Sequence, residues 1–396
     1  MSCNIWTDCD RVPITELLSF IVDNRGKTVP TAQSGHKLIA TNCVTNNTLF
    51  PVYENVRYLN EETYQTWFRA HPIPGDILFV NKGTPGRVCL VPNPVDFCIA
   101  QDMIALRADD TKIYNKYLFA VLRSREIQQQ IYNTNVGDVI PHFKKQFMDQ
   151  LLIPVPERSI QEAIGDLYFV LSFKAEQNKK INDNLQQQAF ALFDKLITTP
   201  HPESVALSEI AELNPKRSLD KNRMARCIDM AQLSTSVSFP NGWEIKPYNG
   251  GMRFANGDTL LARITPCLEN GKTAYIDFLD ADEVAFGSTE YVVMCSQGQY
   301  PSEFFYCLAR YPSFVDYAVK NMNGSSGRQR VSAETIGRYI LPRITDDELA
   351  EFRDVVPALF SAIRLNSLEN ISLAELRDAL LPKLMSGEID ISTIQF

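Results

Sequence analysis

The chain is an approximate tandem duplication, and this restricts its fold more than any other feature. Val12 to Leu17 (VPITEL) is answered by Val205 to Ile210 (VALSEI), and Pro74 to Gly83 (PGDILFVNKG) by Asn256 to Thr265 (NGDTLLARIT). Further on, Asn115 to Ser124 (NKYLFAVLRS) is matched by Ser302 to Tyr311 (SEFFYCLARY), and Leu151 to Pro156 (LLIPVP) by Tyr339 to Ile344 (YILPRI). Phe193 to Leu196 (FDKL) is matched by Leu381 to Leu384 (LPKL). The offset drifts from 193 to 182 and then settles at 187–188. A period this long means two copies of a domain, not a solenoid of short units. The drift assigns insertions to loops, as in two copies that kept a fold and changed its surface.

Each copy has two parts, giving boundaries at 1–156, 157–199, 200–343 and 344–396. The first part mixes short runs rich in Val, Ile, Phe and Tyr with Gly, Pro and Asn breaks, the pattern of strands and turns. A helical stretch follows the runs in each copy, Tyr114 to Tyr132 and Pro301 to Met322, so an α+β domain is expected. The second part reads as a long helix of about 60 Å at 1.5 Å per residue. Its seam in the first copy is Ile160, Ile164, Leu167, Leu171, Lys174, Asn178, Ile181, Leu185, Gln188 and Leu192, in steps of three or four. The second copy offers Phe352, Val356, Leu359, Ile363, Asn366, Leu373, Leu376 and Leu380. Asn178 and Asn366 lie 188 apart, so each copy carries a register-setting Asn at one seam position. Pro357 is expected to kink the second helix or to mark its start.

Catalytic chemistry is hard to find. Glu269 to Thr273 (ENGKT) resembles the end of a P-loop, but Pro266 stands where the wrapping glycine is needed. Asp229, Glu244 and Lys246 have the loose spacing of a metal-dependent nuclease, in one copy only. No glycine-rich turn suits a dinucleotide or a methyl donor, and no Ser or Cys nucleophile sits in a recognisable setting. The nine cysteines include no CxxC pair, and none of the four histidines is spaced to share a metal with them. No metal and no cofactor is therefore expected in this chain. No apolar run is long enough to cross a membrane, and the N-terminus lacks the features of a secretory signal. Two divergent copies without a catalytic constellation suggest a protein that reads two things.

The net charge of −8 argues against a nucleic-acid partner until its distribution is considered. The two large blocks are neutral or nearly so, and 6 of the 8 excess negative charges lie after residue 343. A neutral block can present a basic face, although it cannot hold DNA by charge alone. Candidate contacts fall in matching loops. In the first copy they are Arg25, Lys27, Lys82, Thr84, Arg87, His142, Lys144 and Lys145. In the second they are Lys216, Arg217, Arg253, Arg263, Lys272, Ser325, Arg328 and Arg330. Arg suits bidentate contact to guanine, while Lys, Ser and Thr suit phosphate.

Leu376 to Ser392 (LRDALLPKLMSGEIDIS) resembles the ending of specificity subunits of type I restriction-modification systems. Gly137 to Pro156 and Ala211 to Ser218 are similar to that family's end of one recognition domain and start of the next. The resemblance implies two target-recognition domains in tandem, separated by two long helices that form an antiparallel coiled coil with pseudo-two-fold symmetry. It implies that each domain reads half of a bipartite target on double-stranded DNA. The helices would set the gap and dock two adenine-methyltransferase (modification) subunits, with translocase/nuclease (restriction) subunits joining for cleavage. S-adenosylmethionine, ATP and Mg would belong to those partners, and the setting would be the cytoplasm. A nuclease built on Asp229, Glu244 and Lys246, or a coiled-coil adaptor with no DNA role, are the alternatives.

Overall fold

The computed structural model describes residues 4–24, 28–134, 141–325 and 327–390. The chain divides into two compact units, Met1–Glu176 with Ser372–Phe396, and Gln177–Ile371. Each unit thus takes one copy of the duplicated α+β domain and a part of each long helix.

Unit one contains β1 (Arg11–Pro13), β2 (Leu18–Val22), β3 (His36–Ile39), β4 (Arg57–Leu59), β5 (Ile77–Val80), β6 (Val88–Leu90), β7 (Phe97–Ile99), β8 (Met103–Ala108) and β9 (Leu152–Pro154). Its helices are α1 (Glu61–Thr66), α2 (Asn115–Leu122), α3 (Arg125–Asn133) and the first part of α4 (Arg158–Thr198). The strands form sheets of order β2-β8-β5-β6, β4-β3-β7 and β1-β9. Unit two contains β10 (Ser204–Ala206), β11 (Ala211–Leu213), β12 (Met224–Ile228), β13 (Glu244–Pro247), β14 (Met252–Phe254), β15 (Thr259–Ala262), β16 (Thr273–Tyr275), β17 (Ala285–Gly287), β18 (Tyr291–Ser296) and β19 (Ile340–Pro342). Its helices are α5 (Leu207–Ile210), α6 (Ser302–Arg310), α7 (Pro312–Lys320), α8 (Ala333–Gly337) and most of α9 (Asp346–Met385). Here the orders are β11-β18-β15-β16, β13-β12-β17-β14 and β10-β19. The two units share one topology, with β14 added at an edge of the second. A parallel pairing recurs too, β3 with β7 and β12 with β17.

The burial pattern explains the uninterrupted apolar strands. All four residues of β5 are buried, and alternate side chains of a strand point to opposite faces. Ile77 and Phe79 join the core that holds Tyr117, Phe119 and Ile164 of the helices. Leu78 and Val80 join the core shared with Ile39 and Phe97 of the second sheet. In unit two, Leu261 faces the helical core and Leu260 and Ala262 face the other. A strand covered on both sides has no solvent face to make polar. The short outer pairings close each domain: Val12 lies opposite Ile153, and Val205 opposite Leu341.

Each expected helical stretch is two helices. Ser124 ends the first and caps α3, accepting from the Ile127 amide at 3.3 Å, and Pro312 opens α7 at its first turn, where a missing N–H costs nothing. Pro357 neither starts nor ends α9, which begins eleven residues earlier at Asp346. Gly165 of α4 is a point of close approach, since a Cβ there would lie 2.6 Å from the Tyr117 amide nitrogen.

Within each unit the parts of α4 and α9 pack antiparallel. In unit two Lys195 pairs with Glu351 and Asn182 with Asn366, and in unit one Arg377 lies over the Tyr168 ring. The seam departs from the expected one at Lys174 and again after Asn178. Ile181 is exposed, as are Lys174 and Gln188, and the buried positions are Asn178, Asn182, Gln186, Ala189 and Phe193. Leu376 of the second helix is likewise exposed. A straight helix drifts about 20° per heptad away from a seven-residue repeat, and here polar residues occupy the stripe that results.

Candidate nucleic-acid interface

In unit one, backbone pairing gathers the loops that carry the candidate contacts. Gly83 donates to the Pro141 carbonyl at 3.0 Å, Phe143 to Asn81 at 2.8 Å, and Lys82 and His142 form a bridge. The β5–β6 loop and the segment before β9 are therefore zipped together. This sets Lys82, Thr84 and Arg87 beside His142, Lys144 and Lys145, with Thr84, Arg87, Lys144 and Lys145 exposed. Lys145 reaches Asp23 at 3.4 Å, which ties in the strand end that precedes Arg25. Arg25 and Lys27 themselves lie outside the described residues. Asn81 and Lys82 donate their amides to the Asp102 carbonyl, and the Lys82 ammonium is 3.7 Å from the Asp102 carboxylate.

Unit two repeats this construction. Ile264 and Arg330 form the bridge that Lys82 and His142 form in unit one, at offsets of 182 and 188. Asn323 pairs with Arg330, and Ser325 and Arg328 between them are exposed. Arg263 donates its amide to the Glu290 carbonyl, as Asn81 does to Asp102. The Arg330 guanidinium grips the Glu290 carboxylate through Nε and Nη2 at 2.7–2.9 Å. Arg263 approaches the same carboxylate at 3.3 Å. Hydrogen bonds from Arg330 and Arg263 hold the Glu290 carboxyl below its ordinary range. Sequence reasoning passed over Asp102 and Glu290, although they are acidic residues one repeat apart.

The remaining candidates have other placements. Arg217 clamps the fully buried Asp258 through two nitrogens at 2.6 and 3.0 Å. Arg107 does the same to buried Asp76 in unit one, at 2.9 Å through each nitrogen. Asp76 and Asp258 are the acids of the repeated Gly-Asp turn, each also accepting a backbone amide three residues back. Arg217 is thus bound into the frame, while its neighbour Lys216 is exposed. Lys272 donates to the Met230 carbonyl at 2.8 Å. Arg253, on β14, lies over the Tyr248 ring at 5.9 Å, away from the 263–330 cluster in sheet order.

The nuclease-like set does not form a metal cradle. The Lys246 ammonium sits between Asp229 at 3.0 Å and Glu244 at 2.9 Å, filling the place a cation would take. Those two carboxylates drive the Lys246 pKa upward. Among the described residues no group of three or more His, Cys, Asp or Glu is arranged for a metal. No described helix is long and apolar enough to cross a membrane.

Comparison with known proteins agrees with this architecture. Residues 29–187 match the model of the type I restriction modification DNA specificity domain. The chain is 22% identical to the specificity subunit of the type I restriction enzyme HindI of Haemophilus influenzae, over 80% of this chain and 86% of that protein. It is 33% identical to the EcoAI specificity subunit of Escherichia coli over 33% of this chain and 23% of that one. Its fold is similar to the crystal structure of a type I restriction-modification S subunit from M. genitalium, with a TM-score of 0.60, 15% identity and 96% of each chain covered. With its duplicated α+β domains and paired long helices, the chain is similar over most of its length to the specificity subunits of type I restriction enzymes.

Proposed function

We propose that this chain is a non-catalytic DNA reader in which each recognition domain reads one half of a bipartite target on double-stranded DNA. One observation carries the reading. Both units zip the same two loops together at the same place in the same topology, and each presents cations there. The residues differ between copies while the frame does not, which is what two readers of different half-sites require. Exposed Thr84, Arg87, Lys144 and Lys145 serve unit one, and Ser325, Arg328 and Arg330 serve unit two. Arginine can fork onto guanine, and lysine and hydroxyls hold phosphate. Arg217 and Lys272, tied to Asp258 and Met230, support the frame instead.

The long helices set the gap between half-sites and dock two adenine-methylating subunits, with translocase and nuclease subunits joining for cleavage. S-adenosylmethionine, ATP and Mg act in those partners. The chain is acidic overall, so partners supply part of the attraction to DNA. The test is to delete this chain from a cell that carries the system and map its methylated adenines. Loss of one bipartite motif supports the reading, and an unchanged map refutes it.

A further inference from the structure

Glu290 is an acid at the centre of a surface meant to meet an anionic polymer, which asks for a reason. Its side chain is about a quarter exposed, and it holds two arginines at once. Arg330 has five N–H donors. Its Nε and one Nη2 donor go to Glu290, and one Nη1 donor goes to the Arg328 carbonyl at 3.0 Å. Two donors are left, in the plane that the carboxylate imposes, on a side chain 39% exposed. The ends of the loop are fixed too, by the Ile264–Arg330 and Asn323–Arg330 bridges. Arg330 is therefore held in one orientation by carboxylate and backbone together.

We propose that Glu290 is a specificity-determining positioning residue, which holds Arg330 for a neutral base edge in preference to a phosphate. The inference rests on the DNA-reading function proposed above. The physical reason is competition. A phosphate gains most from an arginine that is free to turn to it, and a carboxylate already on that arginine repels the phosphate. Guanine O6 and N7 are uncharged acceptors, and two parallel N–H donors can bond them while the far edge of the guanidinium stays on Glu290. The carboxylate also cancels part of the charge of Arg263 and Arg330, which lowers sequence-independent attraction to the backbone. Asp102, one repeat earlier and beside Lys82, occupies the matching position in unit one. An acid beneath the reading loops is thus part of the duplicated frame.

The experiment uses the full chain in its native complex, with two variants. Glu290→Gln keeps the size and shape of the side chain and removes its charge. Arg330→Lys keeps the cation and removes the fork. Two readouts are taken: the methylated-adenine map, and the salt dependence of binding to a duplex that lacks the motif. For Glu290→Gln, discrimination at one base pair of one half-site should fall at least tenfold, while the other half-site is read as before. Its salt slope on the motif-free duplex should steepen by about one, the value for one more phosphate contact. Arg330→Lys should relax the same base pair with no steeper slope. The proposal is overturned if both variants keep the wild-type motif, or if Glu290→Gln steepens the slope without relaxing a base. If the wild-type complex itself shows no motif dependent on this chain, the DNA-reading function fails, and the inference with it.

Discussion

Asn366 donates its side-chain amide to the Asn182 side-chain oxygen at 2.8 Å, and Asn178 donates to Asn370 at 3.0 Å. The repeat offset of 188 carries 178 to 366 and 182 to 370. The two pairs are therefore one contact made twice, once by each copy's helix. Asn182 adds a bond to the Ser367 hydroxyl at 3.1 Å, and Asn178 adds one to Glu369 at 2.7 Å. Any slip of one helix against the other would bury these amides without partners. Replacing Asn182 with Ala should cost about 1–3 kcal/mol, the penalty of an orphaned buried polar group. The urea midpoint should fall with little change in slope. The double change Asn182→Leu with Asn366→Leu should recover most of that loss. An unaltered midpoint in the single variant would mean that the pair does not hold the register.

Asp277 supplies a pH dependence. Burial, with Glu303 nearby, pushes its carboxyl up to about 7 against the opposing pull of Arg364. Between about 4 and 7 the folded chain then holds a proton that the unfolded chain has lost. Stability from this group is full below about 4 and is lost as pH rises through 7. Asp277→Asn should match the wild type at pH 4 and exceed it at pH 8. The gain at pH 8 is at most about 4 kcal/mol, the free energy that separates a carboxyl titrating at about 7 from an ordinary one. Thermal melts of both proteins at the two values measure it, and a difference of the same size at both would refute the assignment.

The purified chain should neither cut nor methylate DNA nor turn over ATP, because Lys246 neutralises Asp229 and Glu244 where a nuclease would hold its metal. Assays with Mg²⁺, S-adenosylmethionine and ATP in turn check this. Cleavage that disappears on Glu244→Ala would contradict it.

The core was largely legible because its signals are local and apolar. The apolar runs of β5 and β18 read as strands, and their burial on both faces explains why the runs do not alternate with polar residues. The helix seam was legible as far as Asn178, apart from exposed Lys174, and then lost: Asn182 and Gln186 look like surface residues until their partners are known, Asn366 across the seam for the one, the Ser236 carbonyl and the Tyr306 hydroxyl of the domain for the other. Arg217 looked like a free cation beside Lys216 because its partner, Asp258, lies 41 residues away. Glu290 was missed for a different reason: a search for cations discards acids. The match between Asp102 and Glu290 at the repeat offset was the available signal.

The helices should act as a ruler. Inserting four residues after Leu196, within α4, adds about one turn, or roughly 6 Å. Duplex DNA advances about 3.4 Å per base pair, so the gap in the target should lengthen by one or two base pairs while both half-sites stay the same. Some affinity should be lost as the added rotation is absorbed in the Pro200–Pro202 segment or by twisting the DNA. An active complex with an unchanged gap would show that the helices serve only to dock partners.

The central claim is that the two units read separate half-sites, and the methylated-adenine map of a cell whose complex carries Arg328→Ala with Arg330→Ala tests it most directly. Each lost bidentate base contact should cost about 1–3 kcal/mol of discrimination. The map should show one half-site relaxed or weakened, with the other half-site and the gap unchanged. A map in which both half-sites change together, or in which methylation falls evenly at every site with no base relaxed, would contradict it.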